Sequence, residues 1–148
     1  MKSLLIKKVN FKNNKVTIEY DEKFTDEDTD IATVIIKSNK LPNEEFVEHW
    51  NSFKEDIFSI CEFKYPLSKV TLLGISFSYK EDNHPRGIVF TIFVNLAKTH
   101  APMLVNLPYL DSKEFFLEDK LKDILNLIHD YLTENRIGMD VQEKLEFQ

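Results

Sequence analysis

The stretch Gly87 to Ala97 constrains the fold more than any other part of the chain. Ile88-Val89-Phe90-Thr91-Ile92-Phe93-Val94 is apolar at nearly every position and rich in β-branched and aromatic residues. Such a run is the pattern of a strand covered on both faces, or of one whose second face meets a partner. A second strong strand, Val70 to Tyr79, precedes it, and Glu81-Asp82-Asn83-His84-Pro85-Arg86 joins the two as a hairpin loop. A chain that opens its second half this way is built around a sheet.

The first forty residues extend that sheet. Leu4, Ile6, Val9 and Phe11 form one apolar run, and Val16, Ile18 and Tyr20 alternate with Thr17 and Glu19 at the period of a half-buried strand. Asn13-Asn14 between them predicts a tight turn, because Asn tolerates left-handed backbone angles. Asp21 to Asp30 carries six acidic residues and one Lys, the composition of an exposed loop. Ile31 to Ile36 reads as a third strand. Asn43 can cap a helix whose first turn holds Glu44 and Glu45, where acidic groups meet the positive end of the helix dipole. Phe46, Trp50, Phe53, Ile57 and Ile60 then recur at spacings of 4, 3, 4 and 3, one face of an amphipathic helix. Pro66 marks its exit. Met103 to Leu107 predicts a short further strand between Pro102 and Pro108. Leu117, Leu121, Ile124, Leu125, Ile128 and Leu132 supply the stripe of a last helix, with Gly138 suited to a left-handed cap.

The order is therefore βββ-α-ββ(β)-α. Strands arrive in runs with short connections, which predicts an α+β domain: a mostly antiparallel sheet with two amphipathic helices packed on it. Residues 1–138 form one domain in this reading, and 139–148 a flexible C-terminal tail. Twelve Phe, five Tyr and one Trp are ample for a core and exclude a disordered chain. One Cys, Cys61, excludes an internal disulfide and any multi-cysteine zinc site. Three Gly leave no glycine-rich phosphate loop, and a net charge of −6 opposes non-specific binding of nucleic acid. No apolar run spans a bilayer, so a soluble protein of the cytoplasm is expected.

The tail carries the most specific signal. Gln142-x-x-Leu145-x-Phe147 resembles the peptide by which bacterial DNA polymerases and repair proteins bind the sliding clamp. The chemistry suits that use: Gln142 offers donor and acceptor atoms as an anchor, and Leu145 and Phe147 are apolar plugs. The chain has two Gln, both within its last seven residues. The competing reading is that Leu145 and Phe147 fold back on the body as a final strand.

Several blocks together are similar to a family of small phage and prophage proteins. They are Phe46-Val47 through Ile60-Cys61-Glu62, then Leu73 to Tyr79, the apolar strand to Leu96, Ala101 to Leu110, and Tyr131-Leu132 leading to the tail. The resemblance implies an accessory protein of a phage or mobile element, acting near replication or recombination in the cytoplasm of a bacterial host. It implies no catalytic motif. Relatives usually carry Gly-Lys-Arg-Ala-Gln before the final residues. Here the same spacing reads Gly138-Met139-Asp140-Val141-Gln142, so the basic pair is missing.

Other constellations point less sharply. The four His, His49, His84, His100 and His129, show no helical metal spacing, and no metal or cofactor is expected. Cys61 beside Ile60 reads as a small apolar core residue. Asp26, Asp28 and Asp30 form an acidic surface that either imitates a phosphate backbone, ligates a divalent cation, or is a solvated turn. Ile31 and Lys37 stand where an EF-hand loop needs Gly and Glu, which excludes that motif. Phe77, Tyr79, Phe90 and Phe93 can stack single-stranded bases if exposed, but core packing explains them with fewer assumptions. Lys69, Lys98 and His100 make at most a small basic patch. The expected protein is thus a non-enzymatic interaction protein that binds a sliding clamp through Gln142, Leu145 and Phe147. Its body binds a second partner or forms a homodimer. The alternatives are an acidic DNA-mimic inhibitor and a single-stranded nucleic-acid binder.

Overall fold

Asn13 and Asn14 both take positive φ, 50° and 63°. Two consecutive left-handed residues make the turn that matches the natural twist of a two-residue hairpin. They join β1 (Ser3–Lys12) to β2 (Lys15–Lys23), with Lys12 paired to Lys15 across the turn. β3 (Ile31–Ser38) pairs with β2 along eight consecutive positions. These observations come from a computed structural model, which describes residues 3–23, 31–62, 66–79, 84–96 and 101–135.

Asn43 caps α1 (Glu44–Cys61) through its Oδ1, which accepts the Phe46 N–H at 2.8 Å. The helix ends at Glu62, whose left-handed conformation turns its N–H back to the Phe58 carbonyl. A short 3-10 turn, Leu67–Lys69, leads into β4 (Val70–Tyr79). β5 (Pro85–Leu96), β6 (Ala101–Asn106) and the two-residue β7 (Leu110–Asp111) follow, then α2 (Glu118–Asn135). The chain is an α+β fold, and its described residues form one antiparallel seven-stranded sheet and two α-helices. The sheet order is β3-β2-β1-β4-β5-β6, with β7 also on β5. It consists of two meanders, β1 to β3 and β4 to β6, with β7 returning to pair β5. They meet at one seam, where β1 pairs β4 through Lys8↔Ser76, Val9↔Ile75 and Asn10↔Gly74.

The helices share one face of the sheet. On β5, Ile88, Phe90, Ile92 and Val94 are fully buried, while Val89, Thr91 and Phe93 between them are half-buried. The strand is thus covered by helices on one side, and its other side belongs to the face that no described helix covers, called the open face below. Trp50 stacks on Phe46 and meets Phe11 edge-on, both at 6.1 Å, and Phe53 meets Phe90 at 5.5 Å. The helices run antiparallel. Lys120, early in α2, bonds Asp56 and the Ser52 carbonyl of α1, whereas Tyr131 near its end packs on Phe46. Tyr131 also donates its hydroxyl to the Lys40 carbonyl at 2.8 Å.

The structure corrects three local expectations. The acidic stretch does not begin as a loop at Asp21, because Asp21 to Lys23 complete β2. Strand alternation sends Glu22 to the helix face, where it is 1% exposed, and Asp21 to the open face. There Asp21 accepts a hydrogen bond from Thr33 at 2.8 Å and pairs with Lys7 at 3.5 Å. Pro85 and Arg86 belong to β5 rather than to the hairpin loop. Finally, β7 was not foreseen. Gly138 lies outside the described residues.

Candidate binding cleft and interaction surfaces

A concavity lies where strand pairing breaks off. Beyond Asn10↔Gly74, β1 and β4 no longer pair, and on its other side β4 shifts register against β5 between Leu72 and Gly74. A cleft of about 400 Å³ lies there, lined by Lys12, Asn13, Trp50, Asn51, Phe93 and Asn95 among others. The Trp50 indole N–H donates to the Leu72 carbonyl at 3.0 Å, so a helix side chain satisfies a carbonyl beside the irregularity. The Lys12 ammonium sits 4.4 Å from the centre of the Phe93 ring, a cation–π contact at the mouth. Aromatic wall, amide side chains and one cation make a surface suited to holding a polar chain by hydrogen bonds and stacking.

A second cleft, about 390 Å³, lies between the start of β5 and α2. His84, Glu118, Asp119, Lys122 and His129 line it. Burial pushes the His129 imidazole below its ordinary value, and the charge of Asp130 opposes that shift in part. The folded chain therefore favours neutral His129. That contribution to stability is present above the unfolded value, near pH 6.5, and is lost as pH falls through the folded one. The expected outcome is that His129→Gln loses less stability than the parent between about pH 7 and about pH 5. Urea midpoints of both proteins at the two pH values check it.

The residues singled out from the sequence fall differently. Gln142, Leu145 and Phe147, and likewise Asp26, Asp28 and Asp30, lie outside the described residues, as does His100. His49 is half-buried on α1 and His84 is exposed. Cys61 is half-buried against the core, and burial pushes its thiol up, away from the reactive thiolate. Phe77 and Phe90 are core residues. Tyr79 is half-buried, with its hydroxyl donated to the Ile6 carbonyl at 2.6 Å and its ionisation disfavoured by burial. Of the four strand aromatics only Phe93 reaches the open face, where Lys12 covers its ring. Among the described residues, no group of three or more His, Cys, Asp or Glu is placed to hold a metal ion. No described helix is long and apolar enough to cross a membrane.

Sequence reasoning missed the first cleft. Its lining comes from β1, the β1–β2 turn, α1, β4, β5 and β6, and no local motif joins them. Comparison with known proteins adds nothing to the geometry: no family model, no curated protein and no solved structure matches this chain.

Proposed function

We propose that the chain is a non-enzymatic interaction protein whose segment 139–148 binds a bacterial sliding clamp. The observation that carries this reading is the pattern Gln142-x-x-Leu145-x-Phe147. Gln142 serves as the polar anchor, and Leu145 and Phe147 as plugs. The body acts as a scaffold, and the cleft beside Trp50 is the place for its second partner. The setting implied by the phage-protein resemblance is replication or recombination in a bacterial host.

Each buried plug contributes roughly 1.5–3 kcal/mol before ordering costs, so the isolated segment binds at about micromolar strength. Calorimetry of the full chain with a purified bacterial clamp tests the reading. Leu145→Ala with Phe147→Ala is expected to weaken binding at least about a hundredfold. Charge reversal at Asp26, Asp28 and Asp30 is expected to leave it unchanged. No binding of the parent at roughly tens of micromolar overturns the reading. Binding that survives the double mutant but fails on charge reversal transfers the function to the acidic segment.

A further inference from the structure

Charge is segregated between the two sides of the sheet. On the helix side, α1 and α2 together carry ten carboxylates and three lysines. On the open face, strand alternation exposes Lys8, Lys12, Lys15 and Lys37. The strand carboxylates of that face stand toward the end away from the β1–β2 turn. Glu19 is opposite Lys8, Asp21 pairs with Lys7, and Asp111 is opposite Gly87. At the turn end, Lys12 and Lys15 face each other across the hairpin, and Lys37 lies opposite Thr17. None of these three lysines has an ion pair among the described residues. Like charges set directly opposite destabilise a sheet, and a bound anion relieves them.

The cleft beside Trp50 opens at this same end. Lys12 and Phe93 line it with the amides of Asn13, Asn14, Asn51 and Asn95, and no acidic residue is among its described lining. Three features choose the anion. Phe93 offers a ring on an otherwise polar surface, which a nucleic-acid base can stack on and an acidic peptide does not need. Amide side chains donate and accept at once, as base edges require, whereas a carboxylate takes donors alone. The recess of about 400 Å³ admits a base splayed out of a single strand. The stacked bases of a duplex are closed to it, being reached by elements that enter a groove. A deoxyribose strand is sufficient, since no described carboxylate in the cleft waits for a ribose 2′-hydroxyl.

We propose that the turn end of the open face binds single-stranded DNA. A base stacks on Phe93 in place of the Lys12 ammonium, which lies 4.4 Å from the ring centre in the free chain. The cleft amides hold the base edge, and Lys12, Lys15 and Lys37 take phosphates. From Phe93 on β5 to Lys37 on β3 the strand crosses β4, β1 and β2. That path is at least about 19 Å long at ordinary strand spacing, a short site among the roughly 4–16 nucleotides of single-strand binders. The proposal names the partner that the preceding reading leaves to the body, and rests on that reading only in giving the cleft to a partner.

Fluorescence anisotropy of the full chain with a labelled oligothymidine of about twelve nucleotides tests it. The expected dissociation constant is on the order of 10 μM at low salt, with log K falling against log salt at a slope of about −2 for three phosphates. Lys15→Glu with Lys37→Glu is expected to weaken binding at least about tenfold and to flatten that slope. Phe93→Leu, which keeps an apolar side chain of similar reach, is expected to weaken it about tenfold with the slope unchanged. No binding up to roughly 0.1 mM overturns the proposal, and so does binding that neither variant alters. An oligoglutamate that competes as well as the DNA overturns it in favour of an acidic protein partner. An oligouridine bound more than about tenfold tighter overturns it in favour of RNA. Leu145→Ala with Phe147→Ala is expected to leave DNA binding intact, and the lysine reversals to leave clamp binding intact, so failure of one reading is seen apart from failure of the other.

Discussion

Trp50→Ala is expected to lower stability by about 4 kcal/mol, a large part of the roughly 5–15 kcal/mol that holds a domain of this size together. Trp50 is 1% exposed and joins three parts of the core. Its ring stacks on Phe46 within α1 and meets the edge of Phe11 from β1, while its N–H closes on the Leu72 carbonyl of β4. Truncation removes the largest buried side chain and leaves a cavity between helix and sheet. It also takes away the donor to the Leu72 carbonyl, which costs about a further 1 kcal/mol wherever water cannot replace it. Trp50→Phe separates the two effects, since it keeps most of the apolar volume and removes only the donor. Urea unfolding of the three proteins measures the difference. A loss below about 2 kcal/mol for Trp50→Ala would mean that the core closes over the gap.

Gly87→Val is expected to cost about 3 kcal/mol and to loosen β7 selectively. A Cβ at Gly87 would stand 2.3 Å from the Tyr109 ring and 2.6 Å from the Leu110 carbonyl oxygen. Tyr109 is half exposed and can swing away, but the Leu110 carbonyl is backbone of the strand that pairs with Gly87 and Ile88. Relief therefore requires β7 to move off β5. Gly74→Ala makes a useful comparison. There the added Cβ meets chiefly the end of the Asn10 side chain, at 2.2 Å, with the Val9 carbonyl at 3.2 Å. A rotamer change relieves most of that clash, so the cost should be smaller. Urea midpoints, with amide exchange at Leu110 and Asp111 as the local readout, check both.

Much of the fold was legible because local and global preferences agree. Asn13-Asn14 predicts a hairpin and forms one, Asn43 predicts a cap and forms one, and both amphipathic stripes face the sheet. Departures occurred where tertiary pairing overrides composition. Asp21 and Glu22 look like loop residues, yet β1 and β3 flank them on either side and hold them in β2. β7 is too short to leave a periodic signal, and only its pairing with β5 defines it. The site divides in the same way. A linear motif such as Gln142-x-x-Leu145-x-Phe147 is visible in a sequence because its residues are neighbours in the chain. The cleft beside Trp50 is not, because it arises from strand pairing that stops after Asn10 and from side chains of separate elements.

The seam between the two meanders bears on how quickly the chain reaches this fold. Within each meander, neighbouring strands are also neighbours in sequence, so their pairing closes short loops and can form early. Joining β1 to β4 must bring Asn10 to Gly74 across the whole of β2, β3 and α1. That step carries the largest loop-closure entropy in the sheet, and three residue pairs offset it. Trp50 reaches from α1 to Phe11 on one side of the seam and to Leu72 on the other. The helix thus touches both halves through one side chain, so that docking of α1 favours the joining of β1 to β4 across the seam.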